Sequence, residues 1–340
     1  MSFIPGRVFF EKDALNYPLG QKLYNRFKSE GIPVIFTASH NRITGIPGKT
    51  AQEAYFEAKR TMVVGVRRTL KFETCKPSAH YQLPLNTSCS GKCEYCYLNT
   101  TLGNRPYLRI YVNVDEILEA ARQYIKERAP EATLFEGAAT SDPIPVERYT
   151  GSLKKAIEFF GRQDLGRFRF VTKFTEVDSL LDADHREHTR FRFSINTARV
   201  IKKYEHGTPG IDERLEAAAK VAAAGYPLGF IIAPIMVYPG WEDQYSRLIE
   251  NLRNNLGPAA EKNVTFELIS HRFTARAKKR ILEVFPTTTL PMDEEERKFK
   301  YGQFGYGKYV YPKETMESMA RIFSTSLEGN FPGARVEYLV

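Results

Sequence analysis

The chain has 340 residues, of which 42% are hydrophobic and 13% are aromatic, so it can bury one large core or two smaller ones. This composition excludes a disordered chain, and no apolar run is long enough for a membrane span. Lys and Arg number 49 against 40 Asp and Glu, and the resulting charge of +9 is compatible with nucleic acid without requiring it. The N-terminus does not resemble a signal peptide, and clustered cysteines suit a reducing compartment. We therefore expect a cytoplasmic protein with no membrane partner.

The pattern of residues 1–80 predicts an N-terminal α/β extension, and this region contains no catalytic motif. Helices are predicted over 15–31 and 51–60, and strands over 33–37 and 61–68. Basic residues are dense in this region: Lys59, Arg60, Arg67, Arg68 and Lys71. A solvated face and a surface that contacts nucleic-acid phosphates are equally good interpretations of them.

From 81 to 285, a strand followed by a helix occurs six times. The strands are predicted over 82–86, 132–137, 167–173, 190–195, 228–234 and 264–270. The helices are predicted over 115–128, 152–160, 177–181, 211–224, 242–255 and 275–285. This alternation predicts right-handed βαβ units and a parallel sheet, either doubly wound or closed toward a barrel. A barrel is favoured, because cysteines follow the first strand and barrels carry their chemistry on such loops.

Three of the four cysteines lie within eight residues, as Cys89, Cys93 and Cys96, with Tyr95 before the last. Thiolates at this spacing can hold one inorganic cluster, and three thiolates leave one iron of a cubane cluster without a protein ligand. A zinc site is a weaker alternative, because zinc ribbons show two paired knuckles and the nearest histidine, His80, is nine residues upstream. Chance clustering of buried thiols is the other alternative. The motif resembles the signature of the radical S-adenosylmethionine superfamily, whose members have a partial, six-unit barrel.

Small and polar residues lie at the ends of several predicted strands or directly after them. Such residues permit close approach of a cofactor and can bind ribose hydroxyls or a carboxylate. They are Thr140, Ser141, Lys173, Ser194, Asn196 and Ala233. Because the carboxyl ends of parallel strands share one edge, we expect these residues to surround the cluster.

Residues 286–340 have a different character. The charged stretch 293–298 predicts the start of a helix, and 300–311 alternates aromatic residues and Lys with Gly, which predicts a β-hairpin. Cations suit phosphates and aromatic rings suit stacking on bases, although a hairpin with its rings in the core fits equally well. A helix over 314–327 and a strand over 335–339 complete the prediction.

Nearly the whole chain resembles the spore photoproduct lyases, radical S-adenosylmethionine enzymes that repair two adjacent thymines joined by a methylene bridge. The resemblance depends on two weakly specific stretches, 39–42 and 61–67, and on more specific ones at 89–98, 100–106, 140–142, 191–196 and 305–311. It implies a partial (β/α)6 radical-SAM barrel over 81–285, preceded by the α/β extension 1–80. It also implies a C-terminal region, 286–340, whose hairpin contacts DNA.

The same resemblance implies the cofactors, partners and site residues. A [4Fe-4S] cluster would be held by Cys89, Cys93 and Cys96, and S-adenosyl-L-methionine would lie at Tyr95, Lys173, Ser194 and Ala233. Tyr97 would lie beside the active site. The implied partners are double-stranded DNA carrying the lesion and a reducing protein such as flavodoxin or ferredoxin. The hairpin residues expected at the DNA are Gln303, Phe304, Tyr306 and Lys308.

Two positions depart from the family pattern. The family usually has Cys before Thr-Ser-Asp, where this chain has Ala139, and it has Arg where this chain has Gln303. A thiol is the natural donor of a hydrogen atom to the thymine radical, so either the chain is an engineered variant or its donor lies elsewhere. Cys75 is the remaining thiol, and a buried structural cysteine is its alternative role.

Two other functions remain open at this point. One is a radical enzyme of the same superfamily that acts on RNA or a peptide. The other is a DNA-binding protein with a structural cluster, which requires a fourth ligand that the sequence does not offer.

Overall fold

The computed structural model describes residues 3–76, 78–261, 263–301 and 307–340. Contacts divide the chain into two compact units. The first comprises Met1–Lys92 and Thr101–Arg190, and the second comprises Cys93–Thr100 and Phe191–Val340. The domains predicted over 1–80, 81–285 and 286–340 follow the strand and helix pattern instead, and they stay a prediction. Within the described ranges, no helix combines the length and apolar character that crossing a membrane requires.

The strands are short, as expected for α/β folds. In chain order they are β1 (Arg7–Glu11), β2 (Val34–Thr37), β3 (Thr61–Gly65), β4 (Thr74–Cys75), β5 (Ala79–Gln82), β6 (Asn86–Thr87), β7 (Lys92–Cys93), β8 (Leu108–Tyr111), β9 (Thr133–Glu136), β10 (Gly166–Thr172), β11 (Thr189–Ile195), β12 (Glu205–His206), β13 (Leu228–Ile235), β14 (Thr265–Ser270), β15 (Lys298–Tyr301), β16 (Gly307–Val310) and β17 (Arg335–Leu339). The helices are α1 (Pro18–Ser29), α2 (Ala51–Lys59), α3 (Leu98–Thr101), α4 (Val114–Arg128), α5 (Ile144–Thr150), α6 (Ser152–Gly161), α7 (Ala198–Tyr204), α8 (Ile211–Ala223), α9 (Trp241–Leu256), α10 (Ala275–Val284) and α11 (Lys313–Asn330). Short 3-10 helices lie at Lys12–Asn16, Asp178–Leu180 and Gly257–Glu261.

One sheet of the first unit has the order β2-β1-β3-β8-β6. The first four of these strands run parallel, and β6 pairs antiparallel with β8. Val8 lies opposite both Val34 and Met62, and its side chain is fully buried in a core shared with Leu23 and Phe27 of α1. Near-continuous apolar strands such as β3 are what a parallel sheet with covered faces requires.

The other strands of the first unit pair in the order β4-β5-β9-β10. Strands β5, β9 and β10 are parallel, with Gln82 opposite Glu136 and Glu136 opposite Arg169. Strand β4 runs antiparallel to β5, which sets Cys75 opposite Ala79. The loops that leave β9 and β10 therefore start from the same edge.

In the second unit, β11, β13, β14 and β17 are parallel neighbours in that order. Strands β15 and β16 form the antiparallel hairpin predicted from the alternation of aromatic residues and Lys. Its base is fixed by Phe273 and Tyr309, whose rings stack with centroids 5.1 Å apart, and by the Arg297 guanidinium 3.6 Å above the Tyr311 ring.

The predicted alternation of strands and helices is confirmed, but two predicted elements are wrong. The strand expected over 82–86 is instead β5 and β6, because Pro84 has no N–H to donate to a ladder. The helix start expected over 293–298 is also wrong. Arg297 donates a 2.8 Å hydrogen bond to the carbonyl of His271, and β15 begins at the next residue.

Candidate active site

The backbone that enters the first cysteine is fixed by the loop that follows β9. Ser88 donates its N–H to the carbonyl of Thr140 at 2.8 Å and its hydroxyl to the carbonyl of Pro106 at 2.7 Å. Its own carbonyl accepts from the N–H of Asp142 at 3.3 Å. Ser88 is fully buried and has φ of 67°, a left-handed conformation that only surrounding bonds can maintain in a residue with a side chain.

Hydrogen-bond donors surround Cys89 in the first unit. The N–H of Gly91 donates to the Cys89 sulfur at 3.2 Å, and the Lys59 ammonium donates to the Cys89 carbonyl at 2.8 Å. The Ser90 hydroxyl is buried and has no hydrogen-bond partner among the described residues. Lys92 adds a further cation, and burial lowers its pKa, with Arg60 and Lys59 contributing. Such electropositive surroundings favour a thiolate.

The loop over 137–142 is held against the end of β10. Asp142 accepts hydrogen bonds from the Thr172 hydroxyl and the Lys173 N–H, both at 3.0 Å, and burial raises the pKa of Asp142 to about 6. Gly137 is required at the start of this loop, because a Cβ there would lie 2.6 Å from the ring of Phe168. The predicted residues Thr140, Ser141 and Lys173 are thus brought to the same edge as Cys89.

A cavity of about 120 Å³ opens beside this loop in the first unit. Its lining includes Ala139 and Thr140 from the loop and Phe72 and Glu73 from the segment before β4. Cys75 is not among the described residues that line it. Cys75 lies opposite Ala79, and Ala79 is three residues before Gln82, the last residue of β5. Measured along the strand, Cys75 is therefore roughly 10 Å from the end of β5 at Gln82.

In the second unit, the residues around Cys93 and Cys96 are tied to a buried ion pair. The Tyr95 hydroxyl donates to the Glu205 carboxylate, and burial together with Glu205 raises the pKa of Tyr95 well above its usual range. Glu205 pairs at 2.6 Å with Arg214, and both side chains are fully buried. Arg214 also donates to the carbonyl of Ser194 at 2.9 Å. This chain of bonds links Tyr95 to the predicted cofactor residue at the end of β11.

A second set of contacts holds the same segment. The buried Glu94 carboxylate lies 2.7 Å from Nε2 of His206 and accepts from the Thr288 hydroxyl. The N–H of Glu94 donates to the carbonyl of Tyr204 at 2.9 Å. The contacts of Glu94, Glu205 and Arg214 were not predicted from the sequence. Only Glu94 could have been suspected from the sequence, because it lies between two cysteines. Arg214 lies in the helix α8, where the sequence does not distinguish a buried arginine from an exposed one.

Asn196, Ala233 and Tyr97 differ in their surroundings. Asn196 is fully buried, its amide nitrogen donates to the carbonyl of Pro234 at 2.8 Å, and its amide oxygen accepts from the Tyr245 hydroxyl at 2.9 Å. The side chain therefore joins the ends of β11 and β13. Ala233 is half-buried in β13, and Tyr97 is 55% exposed.

The hairpin carries two cations in direct opposition. Lys300 lies opposite Lys308 in the antiparallel register, and burial, then Arg272 and Lys300, lower the pKa of Lys308. Phe299 and Tyr301 are 49% and 76% exposed, so their rings are available at the surface. The expected DNA contacts Gln303, Phe304 and Tyr306 lie outside the described residues.

The residues around Cys89 fit an iron–sulfur cluster. Across the described ranges, no group of three or more His, Cys, Asp or Glu side chains could hold a single metal ion. A cubane cluster makes a different demand, because each thiolate binds its own iron. The Gly91 N–H, the unpartnered Ser90 hydroxyl and the Lys59 ammonium are donors of the kind that stabilise anionic sulfur.

Comparison with known proteins gives a consistent result over the whole chain. A family model described as spore photoproduct lyase matches residues 3–340. The spore photoproduct lyase of Clostridium acetobutylicum is 51% identical over 334 residues, which is 98% of each chain. That of Bacillus subtilis is 52% identical over 336 residues, which is 99% of this chain and 98% of the relative.

Solved structures agree. A spore photoproduct lyase variant with one Cys-to-Ala and one Ser-to-Cys substitution, with bound AdoMet and dinucleoside spore photoproduct, is 53% identical with a TM-score of 0.97. A spore photoproduct lyase complexed with the dinucleoside spore photoproduct is 52% identical with a TM-score of 0.97. Both matches cover 100% of each chain. The predicted α/β fold class, a partial barrel, and the family resemblance are confirmed.

Proposed function

The chain belongs to the spore photoproduct lyase family, and from this membership we infer that it is a radical S-adenosylmethionine lyase that repairs DNA. It converts two adjacent thymines joined by a methylene bridge into two separate thymines. The observation that carries this conclusion is the match of the whole chain to spore photoproduct lyases, one of which binds the dinucleoside lesion.

The cofactors are a [4Fe-4S] cluster and S-adenosyl-L-methionine. Cys89, Cys93 and Cys96 are the proposed cluster ligands, and three thiolates leave one iron open to the second cofactor. When bound, the two cofactors supply a 5′-deoxyadenosyl radical, which takes a hydrogen atom from the bridged thymine. The chain's own contribution at Cys89 is a fixed backbone, through Ser88, and the donors of Gly91 and Lys59.

Residues at or near the ends of several strands are proposed as contacts to S-adenosylmethionine. In the first unit these are Thr140, Ser141 and Lys173, which Asp142 and Ser88 hold at one edge. In the second unit they are Tyr95, Ser194 and Ala233. Asn196 is proposed in a positioning role, because its amide already joins two strand ends. Tyr97, exposed beside the cysteines, is proposed to face the lesion.

Cys75 is the proposed donor of the hydrogen atom that completes repair. The second thymine is left as a radical when the methylene bridge breaks, and a thiol S–H bond is weak enough to supply the missing hydrogen. In the double variant among the solved relatives, the Cys-to-Ala and Ser-to-Cys positions are separated by the same number of residues as Ala139 and Cys75 in this chain.

A substitution at Cys75 tests this role. Cys75→Ala should preserve cleavage of S-adenosylmethionine but divert the thymine radical to adducts with the reductant, detected by mass spectrometry of the DNA. Ala139→Cys in the same background is the matched control, and it should restore clean conversion of the lesion to two thymines. If Cys75→Ala alone repairs as cleanly as the parent, Cys75 is structural.

The hairpin and its base are proposed as the duplex-binding surface. Lys300 and Lys308 lie directly opposite each other on the hairpin, and like charges in that arrangement repel. A DNA phosphate between the two ammonium groups would remove this repulsion, which favours binding of a duplex here. Lys300→Ala and Lys308→Ala should each weaken binding to any duplex and reduce the slope of log K against log salt by about 1. Lys313→Ala, at an exposed lysine of α11, is the control and should leave the slope unchanged.

Three further hairpin residues, Gln303, Phe304 and Tyr306, are proposed to contact the lesion itself. Phe304→Ala and Tyr306→Ala should cost selectivity for lesion over undamaged DNA, since rings that stack or insert respond to a distorted base step. Equal discrimination by both variants and the parent would contradict this role. The radical reaction also needs an electron, and we propose a flavodoxin or ferredoxin as its donor, in a reducing cytoplasmic compartment without a membrane partner.

The function is tested by anaerobic reconstitution with iron and sulfide. The loaded protein is then incubated with reductant, S-adenosylmethionine and a duplex that carries the methylene-bridged lesion. Each lesion should be converted into two unlinked thymines within the strand, and Cys93→Ala, which lacks a proposed cluster ligand, should convert none. Cleavage of S-adenosylmethionine without conversion of the lesion would overturn the lyase function.

A further inference from the structure

Lys59 is an unusual lysine because it is buried and no carboxylate of the described residues pairs with it. It is the last residue of α2 and is 1% exposed. Its ammonium donates to the carbonyl of Cys89 at 2.8 Å and lies 5.5 Å from the centroid of the Tyr55 ring. Burying a cation without a counterion is costly, so a compensating negative charge is expected nearby.

A structural role at the end of α2 does not explain this contact. A lysine in the last turn can stabilise a helix by binding the final carbonyls of that helix. Lys59 instead crosses to the backbone of a residue that is 30 positions later in the chain and that is the first proposed cluster ligand. The ammonium is therefore directed at the cysteine segment.

A cubane cluster with three thiolates has a net negative charge, and one-electron reduction adds another. We propose that Lys59 raises the reduction potential of this cluster, because a fixed, buried cation beside Cys89 stabilises the reduced, more negative form. Net charge and hydrogen bonding near the sulfurs are established controls of cluster potential, and a buried cation acts with little screening. The proposal rests on the cluster assigned under the proposed function. Lys59 touches neither substrate nor S-adenosylmethionine, so it is a positioning residue that acts through Cys89.

The test measures potential, not repair. Parent, Lys59→Met and Lys59→Arg proteins are loaded with iron and sulfide, and their iron and sulfide contents are compared. Each is then titrated anaerobically with a low-potential titanium(III) reductant, and the reduced cluster is followed by electron paramagnetic resonance. At a fixed potential near the parent's midpoint, Lys59→Met should show a several-fold lower ratio of reduced to oxidised cluster. A tenfold change in that ratio is 59 mV for a one-electron couple. Lys59→Arg retains the charge and should remain near the parent.

Lys126→Met is the control, since it removes an exposed lysine of α4 and should not move the potential. If Lys59→Met matches the parent, or if Lys59→Arg shifts as far as Lys59→Met, the proposal is overturned. If Lys59→Met folds as an apoprotein but retains no cluster, and Lys59→Arg retains one, a cation at this position is needed to hold the anionic cluster. That outcome supports the proposal. If both lose the cluster with unchanged apoprotein melting, the lysine acts by shape and the proposal is wrong. Failure of the parent to bind a cluster would instead overturn the proposed function.

Discussion

Replacing Arg214 by methionine tests the buried ion pair that holds the cysteine segment of the second unit. Arg214→Met keeps most of the side-chain volume but leaves the Glu205 carboxylate buried without its cation. It also removes donors to the carbonyls of Ser194 and Pro209, at 2.9 and 2.8 Å. Removing one partner of a buried pair costs about 3–5 kcal/mol. With about 1.4 kcal/mol per factor of ten, the folding equilibrium of this unit should fall on the order of a thousandfold.

The chain supplies its own probe for this measurement. Its one tryptophan, Trp241, is 5% exposed in the second unit, so its fluorescence during urea unfolding reports on that unit. Arg276→Met, at an exposed arginine, should shift the transition by less than about 0.5 kcal/mol. The double variant Arg214→Met/Glu205→Met should recover much of the loss, because the uncompensated charge disappears. A loss below about 1 kcal/mol, or a double variant as unstable as the sum of both single variants, would refute the reasoning.

Three other positions give shorter tests. Asp142 has its pKa raised from 3.8 to about 6, so the native state holds a proton that the unfolded state has lost, and stability should fall as pH rises between about 4 and 6. Asp142→Asn should remove that slope in urea midpoints measured across the range, and an unchanged slope would assign it to other groups. Gly137→Ala places a Cβ 2.6 Å from the Phe168 ring and should cost about 1–3 kcal/mol. It is measured by thermal unfolding beside Gly329→Ala, which lies in helix α11 with no atom within 4 Å of the added Cβ and should not destabilise the protein. Asn196→Asp sets a carboxylate against the carbonyl of Pro234 and should raise the KM for S-adenosylmethionine more than it lowers kcat, whereas an unchanged KM would separate Asn196 from the cofactor.

Much of the fold could be predicted because pattern and structure agree locally. Helices such as α8 and α9 show their apolar stripe in the sequence, and their observed bounds differ from prediction by a single residue. Strand β1 was missed, although Val8, Phe9 and Phe10 form a buried apolar run, because a run of three is ambiguous without its neighbours. The strand start at Lys298 depends on where Arg297 binds, and no local signal reports that contact.

In the candidate site, too, the residues with a local sequence pattern could be predicted and the contacts between distant residues could not. Cysteine spacing and small residues after strands are local signals, and they are the reason that Cys89, Thr140 and Ser141 are candidates. The buried contacts that orient those residues join distant positions, so a single sequence does not reveal them. Lys59 illustrates this point: among the basic residues of its region it was interpreted as solvated or phosphate-binding, and the structure buries it against Cys89.

The left-handed backbone at Ser88 has a consequence for how the protein matures. Its three hydrogen bonds come from the segments at Pro106, Thr140 and Asp142, all synthesised after Cys89 itself. A nascent or unfolded chain therefore cannot hold Cys89 in its final direction. Given the ligand role proposed for Cys89, we expect the folded apoprotein, and not an extended chain, to be the form that takes up iron and sulfide in the final geometry.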